Sequence, residues 1–371
     1  MLRKFLVQVH LWSGLIAGLL LAVQSITGSA VAFRETGNLW LHADEMIIQP
    51  MDTPILKISG VLTSFHGTFP EIPQNVLSVL YPQAPHETFF IRVWKNGSPA
   101  PNMYVSMNPY TGEITGWGNK WQYPFELMYR LHEQLSLGTA GIKIVHTSGF
   151  LMLLMCSTGL YLWWPRRESL RQALQIRRKP VRRFLLTAHR VIGAYSFVLV
   201  FLVALSGTMI FGVLSLLPIG PSTPSGFGMF ATIGIDSDTT GKPVPVDVLI
   251  DTAQSYFPND KIRDLSYVRL KRAVSVVSLI DSDAPNPRAL NRVFFERQTG
   301  RVITVLDWDK LDGIALIEDW AIPLHSGEII GTPGRLLVFV SGLFIPFLLI
   351  TGALSWWKNL KSESLRIRRA N

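Results

Sequence analysis

The sequence predicts a membrane α+β protein: a four-transmembrane-helix bundle built from a tandem repeat, with two extracytoplasmic α+β domains. Three observations point there. The 371 residues are 48% hydrophobic and only 16% charged, too apolar for an ordinary soluble enzyme. Four windows, Leu11–Phe33, Ile142–Trp164, Val191–Leu217 and Leu336–Trp357, have the roughly 20 apolar residues that a bilayer span requires. Lys143 is their one Asp, Glu, Lys or Arg. Third, the chain matches itself at two fixed offsets.

Sliding by 193 positions lays Leu131-His132 on Leu324-His325. The same slide pairs Gly138, Thr139 and Gly141 with Gly331, Thr332 and Gly334, Ser148-Gly149 with Ser341-Gly342, Thr158-Gly159 with Thr351-Gly352, and Trp163-Trp164 with Trp356-Trp357. Sliding by 179 positions lays His10, Gly14 and Thr27-Gly28 on His189, Gly193 and Ser206-Gly207. Histidines therefore mark both kinds of repeated helix.

In chain order the expected segments are helix one (1–33), an outer domain (34–141), helix two (142–164), a basic loop (165–190), helix three (191–217), a second outer domain (218–335), helix four (336–357) and a tail (358–371). The formal net charge is +9, and its location decides its meaning. Arg166, Arg167, Arg171, Arg177, Arg178, Lys179, Arg182 and Arg183 crowd the middle loop against Glu168, Arg3 and Lys4 precede helix one, and Lys358, Lys361, Arg366, Arg368 and Arg369 follow helix four. Short basic flanks stay in the cytoplasm, which puts both termini and the middle loop inside and both long segments outside. The charge is topology, so no nucleic-acid partner is expected; the lipid bilayer is. Arg3-Lys4, the apolar run and Ala30-Val31-Ala32 also read as a secretory signal. The run is long for a signal, however, and recurs in helix three.

Each outer segment alternates apolar stretches, Thr88–Trp94 in one and Ala273–Ile280 in the other, with Pro, Gly and Asn turns. Met103–Thr115 and Arg292–Thr304 read alike as strand, Thr-Gly turn, strand, with glycine supplying the positive φ of a tight hairpin. The single cysteine, Cys156, permits no intrachain disulfide, and with no Cys-x-x-Cys-His there is no covalent haem site.

These motifs together, His-x-x-x-Gly, the Thr-Gly hairpin, Leu-His-x5-Gly-x2-Gly and Thr-Gly before Trp-Trp, resemble the PepSY-associated transmembrane proteins over nearly the whole length. The outer segments then correspond to PepSY-like domains. Within that family the chain looks like the inner-membrane siderophore reductases. That resemblance implies two non-covalent b-type haems held among four helices, a ferric siderophore as acceptor, and a bacterial inner-membrane location.

Bis-histidine ligation requires two imidazoles presented from different helices at one depth, and a histidine in hydrocarbon is costly without a partner or metal. His10 and His189, equivalent and near the cytoplasmic helix starts, are the candidate inner pair; the competing reading has them bonding water or headgroups at the interface. His132 and His325 are the candidate outer pair, competing with simple helix capping. If all helical, the 31 residues from His132 to Trp163 would rise about 46 Å, beyond a core of about 30 Å, which puts the outer histidines at or above the surface. His146, whose repeat partner is Phe339, is a third candidate axial ligand for the outer iron. Arg34, Arg130 and Arg335 are candidates for haem propionates, since guanidinium forks match carboxylates, or else membrane-edge anchors. The helix glycines let backbones or a flat macrocycle approach closely.

His42, His66 and His86 lack ligand spacing and are expected at the surface. His132-Glu133 lacks the second histidine of a zinc protease. No dinucleotide or phosphate-loop motif occurs, so electrons would come from quinol, flavin or a soluble reductase. The favoured function is a haem-dependent ferric-siderophore oxidoreductase. The rivals are a non-enzymatic membrane scaffold regulating a peptidase or uptake system, and a quinol-linked cytochrome with another acceptor.

Overall fold

The structure is a computed structural model and describes residues 1–70, 76–93, 103–165, 169–210, 244–270 and 272–370. It divides into two compact units, a helical one (Met1–Phe33, Met128–Met209, Leu324–Asn371) and a sheet unit (Arg34–Leu127, Ile210–Pro323). Trp94, Arg166, Arg167, Glu168 and the end of predicted helix three, Phe211–Leu217, lie outside the described residues.

In the helical unit four long helices form, α1 (Leu2–Val31), α6 (Thr139–Trp163), α8 (Val181–Met209) and α11 (Gly331–Ala370). All four are long and apolar enough to cross a membrane, and the chain is a multi-pass membrane protein. Each packs on two neighbours: α1 on α6 and α11, and α8 on the same two, so α1 and α8 stand diagonally. Small residues permit this approach. A side chain on Gly342 would strike the Ser25 carbonyl and Ser29 of α1, and the Ser29 hydroxyl donates to the Phe339 carbonyl at 2.8 Å. The opposite faces bear Ile16, Leu19, Val198 and Ile350, exposed as lipid-facing residues should be.

Two shorter helices, α5 (Pro124–Gln134) and α10 (Gly313–Ser326), carry His132 and His325. The chain then reverses. Leu135 (φ 51°), Ser136 (φ 56°) and Gly138 (φ 62°) break the helix in one half, and Gly327 (φ 78°) and Gly331 (φ 64°) in the other. The reversal is tight enough that a Cβ on Gly141 would overlap the Gln134 carbonyl, and one on Gly334 the Gly327 carbonyl.

The sheet unit differs from the expectation of two separate domains. Strands β1 (Val76–Leu80), β2 (Phe89–Val93), β3 (Met103–Met107) and β4 (Ile114–Asn119) from one segment, with β5 (Lys261–Leu270), β6 (Arg272–Ile280), β7 (Leu290–Glu296) and β8 (Val302–Leu306) from the other, make one antiparallel sheet. Its order is β4-β3-β2-β1-β5-β6-β7-β8. β1 and β5 pair Ser78 with Ser266 and Leu80 with Asp264, which satisfies two edges that separate domains would leave open. Helices α4 (Ile58–Thr68) and α9 (Val246–Tyr256) cover one face, where Val61, Phe65, Ile91, Val105, Ala253, Leu265, Val277 and Val293 are buried. The Thr-Gly hairpins form as expected, with Gly112 at φ 73° and Gly300 at φ 70°. Short helices α2 (Arg34–Leu41), α3 (Ala43–Met46) and α7 (Leu170–Ala173) complete the chain; α7, unlike the other two, belongs to the helical unit.

Arginines from both segments converge in this unit. Arg263 and Arg288 reach Glu35 at 3.4 and 3.6 Å, while Arg34 and Arg92 reach Glu126 at 3.6 and 3.4 Å. Burial pushes the Glu35 carboxyl up, but Arg288, Arg263, Arg34 and Arg92 together outweigh it and hold the group at about 2.

Candidate functional site

The helical unit brings four of the five candidate histidines together as two pairs. His10 on α1 and His189 on α8 meet across the bundle diagonal with ring centroids 6.2 Å apart. His132 on α5 and His325 on α10 meet with centroids 5.8 Å apart. His146 instead faces Phe150, centroids 5.4 Å apart, and takes part in neither pair.

Each ring rests on a hydroxyl-glycine pair of a neighbouring helix. His10 rests on Thr158-Gly159 of α6, His189 on Thr351-Gly352 of α11, His132 on Thr27-Gly28 of α1, and His325 on Ser206-Gly207 of α8. In every seat the hydroxyl residue donates to the carbonyl four residues before it: Thr158 to Leu154 and Thr27 to Val23 at 2.7 Å, Ser206 to Leu202 at 2.7 Å, Thr351 to Phe347 at 2.8 Å. The ring then uses Nδ1. His132 donates to the Gln24 carbonyl at 2.9 Å, His189 to Leu348 at 2.9 Å and His325 to Val203 at 2.8 Å, each the carbonyl three residues before the seat's hydroxyl. His10 Nδ1 lies 2.9 Å from the Thr158 hydroxyl.

Glycine is required beside each hydroxyl because the ring occupies the place of a side chain. A Cβ on Gly28 would stand 2.7 Å from the His132 Cε1, and one on Gly207 2.8 Å from that of His325. At Gly159 and Gly352 the corresponding distances are 3.1 and 3.2 Å to His10 and His189. The helix glycines at these four positions are therefore seats for imidazoles rather than general packing points.

An Nδ1–H donated to a fixed acceptor leaves Nε2 with its lone pair, the tautomer that a metal takes. A metal bonded to two imidazole nitrogens at about 2 Å each sets the ring centroids roughly 6 Å apart. Both pairs have that spacing. From His10 to the Thr27-Gly28 seat, α1 rises about 26 Å, which separates the two pairs along the bundle. Among the described residues no group of three or more His, Cys, Asp or Glu side chains could hold a metal ion, and each pair offers two imidazole nitrogens.

The helix reversal explains where the outer pair lies. Measured along an unbroken helix, His132 would stand well beyond the end of α1; the turn after Gln134 returns it to the level of Gly28, three residues inside that end. Gln24 clasps it twice, its carbonyl accepting from His132 and its amide donating to the Leu131 carbonyl at 3.2 Å.

All three candidate arginines meet protein carboxylates. Arg34 pairs with Glu126 in the sheet unit, Arg130 with Glu133 at 2.9 Å and Arg335 with Glu328 at 3.2 Å. Arg130 is buried, and its Nε has no partner among the described residues. His42, His66 and His86 all belong to the sheet unit, where His42 stacks on Tyr123 at 4.1 Å; His86 is exposed, and His42 and His66 are partly so.

The sequence marked Thr27, Thr158, Ser206 and Thr351 only as repeat signposts, and their anchoring role was missed. The available signal was that hydroxyl-glycine pairs follow histidines at two repeated intervals, His10 to Thr27 matching His189 to Ser206 and His132 to Thr158 matching His325 to Thr351.

No curated protein matches the chain. Residues 7–359 match the family described as PepSY-associated TM region. With that match running through all four long helices and both histidine pairs, the chain belongs to the PepSY-associated transmembrane family.

Proposed function

We propose that the protein is a di-haem b-type electron-transfer enzyme of the bacterial inner membrane, with His10/His189 and His132/His325 as the axial pairs. The observation that carries this reading is the four-fold seat: four imidazoles, each committed through Nδ1, in two cross-bundle pairs at the spacing a shared metal needs. When bound, b-type haem supplies reversible one-electron transfer. The chain's own residues do the rest. Each carbonyl or hydroxyl anchor fixes a tautomer and a ring direction, each glycine admits the ring, and the Arg130 Nε is a donor for an acidic group of the cofactor.

The basic flanks support placing both termini and the His10/His189 end in the cytoplasm. Electrons from quinol, flavin or a soluble reductase would then enter at that pair and leave at His132/His325. The acceptor we propose is a ferric siderophore, because hard oxygen donors hold ferric iron far more strongly than ferrous iron, so one electron loosens the chelate. The matching offsets, the four like seats and the sheet symmetric about β1–β5 support a tandem duplication with PepSY-like outer segments.

The test is direct. Protein purified with haem present should bind two per chain and show a b-type α band on reduction; a colourless protein would remove the proposal in favour of the scaffold reading. His132→Ala and His325→Ala should each lose one haem of the two, and His146→Ala none. Reduced protein mixed with ferric hydroxamate or catecholate chelates should reoxidise as a ferrous trap fills. Reoxidation only by quinones would favour the quinol-linked cytochrome.

A further inference from the structure

We propose that Thr158 is a positioning residue that turns the His10 ring across the plane of His189, making the two histidine pairs inequivalent in ligand-plane angle. This rests on the reading of the four histidines as haem ligands.

The two pairs differ in one respect that their seats explain. His10 and His189 stand almost perpendicular, 86° between ring planes, whereas His132 and His325 are tilted by only 34°. In the outer pair both Nδ1 atoms donate to backbone carbonyls of equivalent position, Gln24 and Val203, at 2.9 and 2.8 Å, and the seat hydroxyls stand off at 3.5 and 3.4 Å. Two like anchors give two like ring orientations. In the inner pair the anchors differ. His189 uses the Leu348 carbonyl at 2.9 Å, with Thr351 at 3.3 Å, while His10 lies closest to the Thr158 hydroxyl, at 2.9 Å.

The glycine contacts report the same rotation independently. From a Cβ on Gly28, Gly207 and Gly352 the Nδ1 of the seated histidine would lie at 3.0, 3.1 and 3.3 Å; from Gly159 the Nδ1 of His10 lies at 3.8 Å. His10 therefore meets its glycine by the Cε1 edge, with Nδ1 swung toward the hydroxyl. The hydroxyl can hold it there because its own proton is already committed to the Leu154 carbonyl at 2.7 Å, leaving oxygen lone pairs to accept.

Ligand-plane angle has a spectroscopic consequence. Imidazole planes that are nearly parallel interact with one of the two π-symmetry d orbitals of low-spin ferric iron and split them, giving a rhombic electron paramagnetic resonance spectrum. Perpendicular planes leave those orbitals nearly degenerate, giving a strongly anisotropic spectrum with one large g value. The oxidised protein should show both, the anisotropic signal disappearing in His10→Ala and the rhombic one in His132→Ala.

The deciding variant is Thr158→Val, which keeps the shape and removes the hydroxyl. The Met155 carbonyl, the equivalent of the acceptors used in the other three seats, already shares the His10 ring with the Thr158 hydroxyl and is left as its sole anchor. The inner signal should then collapse toward the rhombic type with two haems still bound, Thr158→Ser should restore it, and Thr351→Val should leave it in place. Two haems per chain with one identical rhombic signal in the wild type overturns this inference and leaves the haem reading standing. An anisotropic signal that survives in Thr158→Val, or is lost equally in Thr351→Val, overturns it as well. A protein without haem overturns both. If Thr158→Val does not fold, failure of Thr158→Ser to keep the anisotropic signal overturns the assignment.

Discussion

At the residue scale the site depends on what is absent from four positions. Gly28→Ala and Gly207→Ala would place a methyl 2.7 and 2.8 Å from the rings of His132 and His325, too close to be absorbed without moving the ring. Gly159→Ala and Gly352→Ala meet their rings at 3.1 and 3.2 Å, a contact that a few tenths of an ångström relieves. On the proposed di-haem reading the expected outcome is graded: the first two variants lose about half the bound haem, measured as haem per chain, and the last two keep it with a shifted absorption band. Equal behaviour of all four would contradict the seat geometry. Which histidines the fold brings together was legible in the sequence, since repetition at fixed offsets marked His10, His132, His189 and His325. The place of His146 was not, because spacing along one helix does not say which way a ring faces, and here it faces Phe150.

Among the elements, the reversals between α5 and α6 and between α10 and α11 decide where the outer pair stands. Gly138→Ala asks an L-residue to hold φ 62°, costing of order 1–3 kcal/mol. Gly141→Ala is more severe, because its neighbour is the Gln134 carbonyl, which cannot swing aside as a side chain would. We expect Gly141→Ala to release His132 from Gln24 and to halve the haem content while the inner pair stays loaded, read by the surviving signal of the His10 site. The sequence marked these glycines by their repetition at Gly331 and Gly334. It did not show the turn after Gln134, because a rise of about 1.5 Å per residue holds only within a continuous helix, and Leu135 and Ser136 adopt left-handed backbone that their residue types do not announce.

For the whole molecule, the two long segments share one sheet, a pairing invisible to local pattern because strand alternation does not name a strand's neighbour. The Glu35 cluster ties residues of both segments within that unit and gives it a pH signature. The carboxyl is held at about 2, below its ordinary 4.5, so its stabilisation is present above pH 4.5 and is lost as the pH falls through about 2. With the Glu35 side chain 44% exposed, solvent screening keeps that contribution to about 1 kcal/mol or less. Thermal melts of wild type and Glu35→Gln should differ at pH 6 and converge between pH 4.5 and 2; a constant gap across that range would rule the linkage out. The diagonal arrangement of α1 and α8 has a consequence for assembly. Each histidine pair draws one ring from either side of the middle loop, and the seat for that ring is lent by another helix. If the pairs hold haem as proposed, severing the chain in the loop should thus give two fragments that are each colourless alone and regain both chromophores only when expressed together. A half-length ancestor with these seats could have worked only as a two-fold dimer, its β1 edges meeting antiparallel about the axis. On the proposed duplication, fusion would have freed the two copies to diverge, and Gln24 opposite Val203, or His146 opposite Phe339, are the differences it would leave.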